Sequence, residues 1–348
     1  MEARDMSHRG HLLIDINNLG FAATSTKVLK VGEQETQGVL GTIRAIRMMV
    51  ATYPQLRPMI LWDGDSWRKK EIEGYKASRD AKPVTKNDEK VAHVRASWRS
   101  QRPIVNRIMK ACGVPQLSAA NLEADDFAGI LVKRYTPDIE RGAKILMISG
   151  DKDWLQLVRP GVAWHAPVQQ KRVTHSNFSE KVGYMKQKRT KQADGSVLVE
   201  DIEWRGCPSP QAYLEAKALM GDVSDEIPGV GGIGEIGAFD LVRKFGTVRG
   251  FFEAVEIHKV DVPKKLADFC SEKEKREIFY RNLRIMDLMH NDIPAPVRPK
   301  LTKPEFDPAA VREHCEALLF NSLLSDLDGW LEPFCALSGV STDLKAAA

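Results

Sequence analysis

The order of apolar and polar positions predicts an alternation of buried strands and amphipathic helices. Three short apolar runs are typical of buried parallel strands: "HLLIDI" (11–16), "RPMILW" (57–62) and "AKILMIS" (143–149). Between the first two runs, "QGVLGTIRAIRMMVATY" places apolar residues at three- and four-residue spacing, and "EADDFAGILVKRY" does so before the third. This alternation predicts an α/β fold with a central, mostly parallel sheet flanked by helices.

Each predicted strand ends at aspartate or runs directly into it. The residues concerned are Asp15 in the first run, Asp63 after the second, and Asp151 and Asp153 after the third. One such aspartate is commonly a turn residue. Several together favour a function, because the carboxyl ends of parallel strands share the sheet edge where ligands bind. We therefore expect an acidic pocket at that edge.

The segment "LEADDFAG" places Glu123, Asp125 and Asp126 at the start of a predicted helix. Acidic residues are favoured in a first helical turn by up to ~1 kcal/mol each, so one or two of them would need no further explanation. Three at such density repel one another. We expect this helix start to join the acidic pocket.

A glycine-rich hairpin between two predicted helices follows an acidic loop in "SPQAYLEAKALMGDVSDEIPGVGGIGEIGAFDLVRKFG". Gly229, Gly231 and Gly234 satisfy the spacing GxGxxG, but a dinucleotide site requires a strand immediately before it, and here a helix and a loop precede it. With Gly232, these glycines instead offer backbone N–H groups and a helix N-terminus to a phosphate.

Composition and charge narrow the class of protein. The 348 residues are 43% hydrophobic and 28% charged, which is typical of a soluble globular protein. No apolar run approaches the ~18–20 residues of a membrane span, and the polar N-terminus does not resemble a signal peptide. Five dispersed cysteines without CxxC spacing predict reduced thiols and argue against a zinc knuckle. We expect a cytoplasmic protein (host cytoplasm if it is phage-encoded) without membrane contact.

The charge is segregated although its net value is only +4. Basic residues outnumber acidic ones between Arg68 and Arg102, and a second basic knot, "KQKRTK", covers 186–191. A solvated basic helix would explain the first stretch equally well when it is taken alone. Together with the acidic cluster, the segregation favours a basic face for a polyanion and an acidic one for a metal.

Six motifs resemble those of a known family in their order and spacing. "DINNLGF", "WDGDSWRKK", "EGYKASRD", "LEADDFAG", "ISGDKDW" and "ALMGDVSDEIPGVGGIG" resemble the structure-specific 5′ nucleases: flap endonucleases, phage 5′–3′ exonucleases and the 5′-nuclease domain of bacterial DNA polymerase I. The resemblance runs from about His11 to His290 and is closest to phage-type members. It implies a PIN-like 5′-nuclease core with a helical arch over about 66–110 and a helix-hairpin-helix subdomain.

The expected domain organisation follows from these motifs. We expect an α/β nuclease core over 10–210, a helix-hairpin-helix DNA-binding subdomain over 211–295 and a C-terminal helical segment over 296–348. The core includes an excursion at about 185–204, where "DG" followed by alternating "SVLVEDI" predicts a hairpin.

The resemblance implies that the acidic residues hold two divalent ions. The first ion would be held by Asp15, Asp63, Glu123 and Asp125. The second would be held by Asp151, Asp153, Asp222 and Asp225, with Asp125 or Asp151 bridging and Asp126 as a supporting carboxylate. Independently, hard oxygen ligands without His or Cys suit Mg²⁺ or Mn²⁺ rather than zinc. Two such ions about 3.5–4 Å apart can activate water and stabilise the leaving oxygen of a phosphodiester.

So much negative charge requires nearby cations to admit a phosphate. "GYKASR" supplies Lys76 and Arg79, which would share a face if the segment is helical, and the resemblance implies that they clamp the scissile phosphate as catalytic residues. It also implies that Phe21 stacks on a terminal base, worth ~1–3 kcal/mol; a core role for Phe21 is equally open. The other expected DNA contacts are Arg68, Tyr75, Gly229, Gly231, Gly232 and Gly234, with a K⁺ ion beside the glycines.

The sequence therefore predicts a stand-alone, monomeric 5′ nuclease that acts on DNA duplexes with a 5′ end, flap or gap in replication or repair, with replication proteins as further partners. Exonuclease and flap endonuclease activity remain open. One alternative is a catalytically weak DNA-binding relative acting as a replication accessory protein. The intact carboxylate set argues against it, because unneeded clustered charges only destabilise a fold. A second alternative, an aspartate-based phosphohydrolase, would need neither the arch nor the helix-hairpin-helix.

Overall fold

The computed structural model describes residues 10–79, 82–192, 194, 196–289, 293 and 298–338, without the side chains of Arg79, Arg189 and Ser338. The strands in this part of the chain are β1 (Gly10–Asp15), β2 (Lys30–Val31), β3 (Gln34–Glu35), β4 (Arg57–Leu61), β5 (Gln116–Ser118), β6 (Lys144–Ile148), β7 (Val162–Ala166), β8 (Lys171–Val173), β9 (Gly183–Lys191), β10 (Val197–Gly206), β11 (Gly221–Asp222), β12 (Ile227–Pro228) and β13 (Lys300–Thr302).

The α-helices of the same residues are α1 (Ile16–Thr24), α2 (Gln37–Thr52), α3 (Lys86–Ala111), α4 (Ala124–Arg134), α5 (Thr136–Glu140), α6 (Phe178–Lys181), α7 (Pro210–Met220), α8 (Glu235–Phe245), α9 (Val248–Glu256), α10 (Lys264–Ser271), α11 (Lys273–Met286), α12 (Pro308–Ala317), α13 (Asn321–Leu324) and α14 (Leu327–Ser338). Short 3₁₀ helices cover Trp67–Lys70, Ala77–Arg79 and Lys152–Leu157.

Seven strands form one sheet in the order β13-β5-β4-β1-β6-β7-β8, and only the two edge pairs are antiparallel. The three predicted strands are β4, β1 and β6 at its centre. Ile14 of β1 lies in register with Ile60 of β4 and with Ile148 of β6, so the three strands end side by side. The predicted mostly parallel sheet flanked by helices is thus confirmed.

Both faces of the sheet are buried, because side chains along a strand alternate between its faces. Along β1, Leu13 belongs to one apolar cluster, whereas Leu12 and Ile14 belong to another. The first cluster continues into α7 and α8, and the second into α2 and the C-terminal helices. Rigid packing on both faces fixes the sheet edge at which the aspartates lie.

The segment expected to form an arch contains two 3₁₀ turns followed by the long helix α3. Thr85 caps α3 in a reciprocal capping box with Asp88. Lys76 has a φ of 56°, in the left-handed region, and immediately precedes the turn Ala77–Arg79. The expectation that Lys76 and Arg79 share a face applies only to a helical segment, and the left-handed Lys76 lies outside the helical turn, so that condition is not met. The Arg79 side chain lies outside the described structure.

The helix-hairpin-helix consists of α7, the short β11–β12 ribbon with its glycine loop, and α8. Gly221 ends α7 with a φ of +74°, and a Cβ there would come within 2.4 Å of the Ile227 carbonyl oxygen. From α11, the fully buried Asn282 donates to the carbonyl oxygens of Ala218 (3.0 Å) and Pro228 (2.8 Å). One amide thus holds α7 and the ribbon together.

The excursion is a two-stranded antiparallel hairpin, β9–β10, as predicted, closed at its base by the pair Gly183 and Gly206. Among the helices described above, none is long and apolar enough to cross a bilayer.

Replacing Asn282 by Leu should destabilise the protein by about 1–3 kcal/mol, because the change leaves two buried carbonyl groups without a donor. Denaturant unfolding measures this loss. Lys273→Met on the exposed side of α11 serves as the control, since the Lys273 side chain is 90% exposed. Equal stability of the two variants would contradict the structural role of Asn282.

Candidate active site

An open cavity of about 490 Å³ lies where the central strands end. Its acidic lining comes from four separate chain segments and consists of Asp15, Asp63, Asp65, Glu123, Asp125 and Asp151. The strand ends and the start of α4 therefore converge, as the sequence predicted.

Backbone and hydroxyl donors fix the carboxylates that follow β1 and β4. Asp15 caps α1: its Oδ1 accepts from the Asn18 amide at 3.0 Å, and its Oδ2 accepts from the Ser149 hydroxyl at 2.7 Å. Asp63 accepts at 2.7 Å from the Ala124 amide in the first turn of α4. Each of these two carboxylates thus joins its own strand to a neighbouring segment.

Glu123 lies at the N-cap of α4 and is enclosed by donors. Its oxygens lie 2.5 Å from the Lys76 ammonium and 3.2 Å from the Arg68 guanidinium, and the Ser66 hydroxyl donates at 2.6 Å. Burial by itself would raise the pKa of Glu123, but Lys76 and Arg68 outweigh burial and lower the pKa to about 2.

A second group of acids lies beside the cavity rather than in its lining. Lys217 lies 3.0 Å from Asp153 and also contacts Asp222. Asp225 accepts from the Tyr75 hydroxyl at 3.1 Å and lies 3.3 Å from Lys76.

The remaining acids are buried close to one another, and their pKa values are raised. Burial, followed by repulsion from Asp63, raises the pKa of Asp15 to about 7. Burial, followed by repulsion from Asp153, raises that of Asp151 to about 7. Burial and a neighbouring carboxylate also raise the pKa of Asp125. Groups whose ionisation is opposed by burial and by neighbouring carboxylates are suited to share a cation.

The donor set fits hard divalent ions, since it consists of carboxylate oxygens with no His or Cys among them. Within the described residues, no three such side chains converge closely enough to hold an ion as they stand. Lys76 and Lys217 instead bridge four of the acids.

The same cavity is also lined by cationic side chains. On α3, Arg95, Trp98, Arg99 and Arg102 line it, and Lys69 and Lys76 add further charge. In the sequence, these arginines belong to the basic stretch between Arg68 and Arg102, and no individual role was predicted for them. Their spacing of three, four and seven residues places them on one helical face, which is the signal that could have identified them.

Three predicted site residues have a different place in the structure. Arg68 is buried, donates to the Ile285 carbonyl oxygen at 2.9 Å and pairs with Asp126 at 2.8 Å. Tyr75 is also buried and bonds Glu123 and Asp225. In this structure both side chains are buried and contact carboxylates of the site, and the expectation that Arg68 and Tyr75 contact DNA stays a prediction. Asp126 supports α4 and Arg68 without lining the cavity.

Phe21 lines the cavity and is half-buried. In the glycine hairpin, a Cβ on Gly231 or Gly234 would meet no other atom within 4 Å, so the Cα atoms of both residues border open space. Gly232 has a φ of +85°. A Cβ on Gly229 would come within 2.3 Å of the Met220 carbonyl oxygen, so Gly229 serves packing against α7. Lys217 is not among the site residues that the sequence predicted.

Two family models match the chain: the N-terminal resolvase-like domain of 5′-3′ exonuclease over residues 11–183, and its C-terminal SAM fold over 208–305. The chain is 24% identical to the 5′-3′ exonuclease of Aquifex aeolicus, with 66% of each chain covered. It is 26% identical to DNA polymerase I of Bacillus caldotenax, covering 70% of this chain and 24% of the polymerase. The chain thus spans less than two thirds of the length of these relatives.

Solved structures of phage T5 enzymes share the fold. A T5 5′-exonuclease with bound zinc ions has a TM-score of 0.59 at 18% identity, covering 93% of this chain and 99% of that one. A T5 flap endonuclease in a complex with DNA and metal ions has a TM-score of 0.56 at 18% identity, with the same coverage. At such identity the likeness establishes the fold.

In metal-free protein, Asp151→Asn should gain stability relative to the wild type as the pH rises. An acid whose pKa is raised on folding costs stability increasingly from its ordinary pKa near 4 up to its folded pKa of about 7. Asparagine removes that cost, so the difference in unfolding free energy should grow by on the order of 1–3 kcal/mol between about pH 5 and about pH 8.

Denaturant unfolding in EDTA at several pH values measures this difference. Asp261→Asn, at an exposed position, is the control. A pH-independent difference for Asp151→Asn would show that Asp151 titrates normally.

Proposed function

The chain belongs to the 5′-3′ exonuclease family, and from that premise we propose that it is a divalent-metal-dependent nuclease that hydrolyses DNA phosphodiesters near 5′ ends or flaps. One observation carries the proposal: a single cavity is lined both by carboxylates at the strand ends and by a cationic helix face. The first feature suits metal ions and the second suits a phosphate backbone, so the cavity matches a nucleic-acid substrate.

The proposed metal ligands fall into two sets. The first set is Asp15, Asp63, Glu123 and Asp125, and the second is Asp151, Asp153, Asp222 and Asp225. Bound there, two Mg²⁺ ions, or Mn²⁺ in their place, would supply a nucleophilic water and charge stabilisation for the leaving oxygen. Asp126 would act as a support, because it pairs with Arg68 and accepts from the Glu123 amide at 2.9 Å.

The chain's own cations would bind and orient the substrate. Arg95, Arg99 and Arg102 present one face of α3 to the cavity and would hold backbone phosphates beside the acids. Lys76 lies at the junction of both acid sets, because it contacts Glu123 and Asp225, and there it would clamp the scissile phosphate. We propose the same catalytic role for Arg79 and stacking on a terminal base for Phe21.

The helix-hairpin-helix would hold the duplex away from the cut. The backbone at Gly231 and Gly234 borders open space and, together with the N-terminus of α8, would suit a phosphate, with a K⁺ ion beside it. We propose 211–295 as this DNA-binding unit and a monomer that acts in the cytoplasm on duplexes with a 5′ end, flap or gap. A catalytically weak DNA-binding relative is less consistent with the complete acid set.

Asp153→Asn should nearly abolish cleavage of 5′-flap, gapped and blunt duplexes in Mg²⁺, with DNA binding equal or tighter because a repulsive charge is lost. Lys76→Ala should lower the single-turnover rate by roughly 10²–10³-fold, as expected on losing one electrostatic donor at the transition state. Gel assays measure both rates. Raising Mn²⁺ should partly rescue Asp153→Asn only.

Lys273→Ala, an exposed position on α11, controls for the loss of a lysine. If Lys76→Ala cuts at the wild-type rate, or if Mn²⁺ rescues both variants equally, the role given to Lys76 is wrong. No cleavage of any substrate by the wild type in Mg²⁺ or Mn²⁺ would overturn the proposed function.

Gly231→Val should weaken binding to duplexes of every sequence alike, by roughly three- to tenfold, because backbone contacts position DNA without reading its bases. Gly231→Ala should have a smaller effect, since its methyl group would meet no neighbour. Fluorescence anisotropy with several duplexes measures both changes. A loss confined to one base composition would contradict a phosphate contact.

A further inference from the structure

Lys217 joins two carboxylates that come from different parts of the chain. It lies in the last turn of α7, 3.0 Å from Asp153 in the turn after β6, and it also contacts Asp222 in the loop after α7. The lysine side chain is only 13% exposed, and that of Asp222 is 12% exposed. The ammonium group therefore faces the acids and is largely shielded from solvent.

The arrangement mirrors that of Lys76 across the same junction. Lys76 comes from the segment before α3 and reaches Asp225 in the loop, whereas Lys217 comes from α7 and reaches Asp153 after β6. Each lysine thus crosses between the sheet edge and the loop 222–225. Each also contacts a second acid, Glu123 for Lys76 and Asp222 for Lys217.

A direct DNA contact does not account for this geometry. Lys217 does not line the cavity that Arg95, Arg99 and Arg102 border. Its two polar contacts are both carboxylates, and both belong to the acid set assigned above to the second ion. A buried cation in that position balances charge that would otherwise repel.

We propose that Lys217 is a positioning residue, an internal counter-ion that holds Asp153 and Asp222 in place and competes with a divalent ion for them. The proposal rests on the proposed function, since it takes these acids as metal ligands. While Lys217 holds the two acids, the loop 222–225 is drawn to the sheet edge. A divalent ion that takes the same oxygens releases the ammonium group.

Thermal unfolding in EDTA and across a titration of Mg²⁺ or Mn²⁺ alone, without DNA, tests the proposal. Lys217→Met should lower the melting temperature in EDTA, because the acids lose their cation. It should also lower the metal concentration at the midpoint of the stabilisation by roughly three- to tenfold, because the competitor is gone. Lys217→Arg should raise that midpoint, because guanidinium binds carboxylates more firmly.

Lys273→Met should change neither quantity. If the metal midpoint of Lys217→Met equals that of the wild type, Lys217 has only a structural role and the proposal is wrong. If metal does not shift the melting temperature of the wild type, the metal site of the proposed function fails instead.

A second measurement uses the wild type alone and does not depend on the folding of a variant. Acetylation by an amine-reactive reagent, followed by mass spectrometry, should label Lys217 several-fold faster with Mn²⁺ than in EDTA, while Lys273 is labelled equally in both. Equal labelling of Lys217 in the two conditions would show that a divalent ion does not displace Lys217 from these acids, and the proposal would be wrong.

Discussion

Repulsion among buried carboxylates is the constraint around which this end of the molecule is built. The fold delivers Asp15, Asp63 and Asp151 to one sheet edge because parallel strands must end together. Burial, together with repulsion from neighbouring carboxylates, raises the pKa of both Asp15 and Asp151. Basic side chains compensate part of this negative charge, and a cationic ligand would compensate the rest.

The same constraint ties the two matched regions of the chain to each other. Arg68, buried beside Glu123, also donates to the Ile285 carbonyl at the end of α11. Glu226 in the acidic loop accepts from the amides of Ala77 (2.9 Å) and Ser78 (2.8 Å). Most of these contacts are charge-assisted, which makes them stronger than neutral hydrogen bonds. Charge compensation and attachment of the second region are therefore one set of interactions.

Sequence patterns identified the parts of this site that depend on local rules. Strand runs ending in Asp15 and Asp63 were readable because burial and strand termination are encoded within a few residues. The burial of Arg68 and Tyr75 could not be predicted from the sequence, because it depends on α4 and α11, which are distant in sequence. Lys217 escaped notice for the same reason: only the packing of α7 against the turn after β6 gives it two acidic neighbours. The left-handed backbone conformation of Lys76 could not be predicted either, since glycine rather than lysine normally indicates that conformation.

The β9–β10 hairpin can vary in length because of the way its base is closed. Gly183 and Gly206 pair at its base, so the chain leaves the core and returns at adjacent points. The two family matches stop at 183 and resume at 208, on either side of this ribbon. Its length can therefore change in steps of residue pairs while the metal ligands and the glycine loop keep their positions. Residues can be added to this hairpin or lost from it during evolution while the side chains of the active site stay in place.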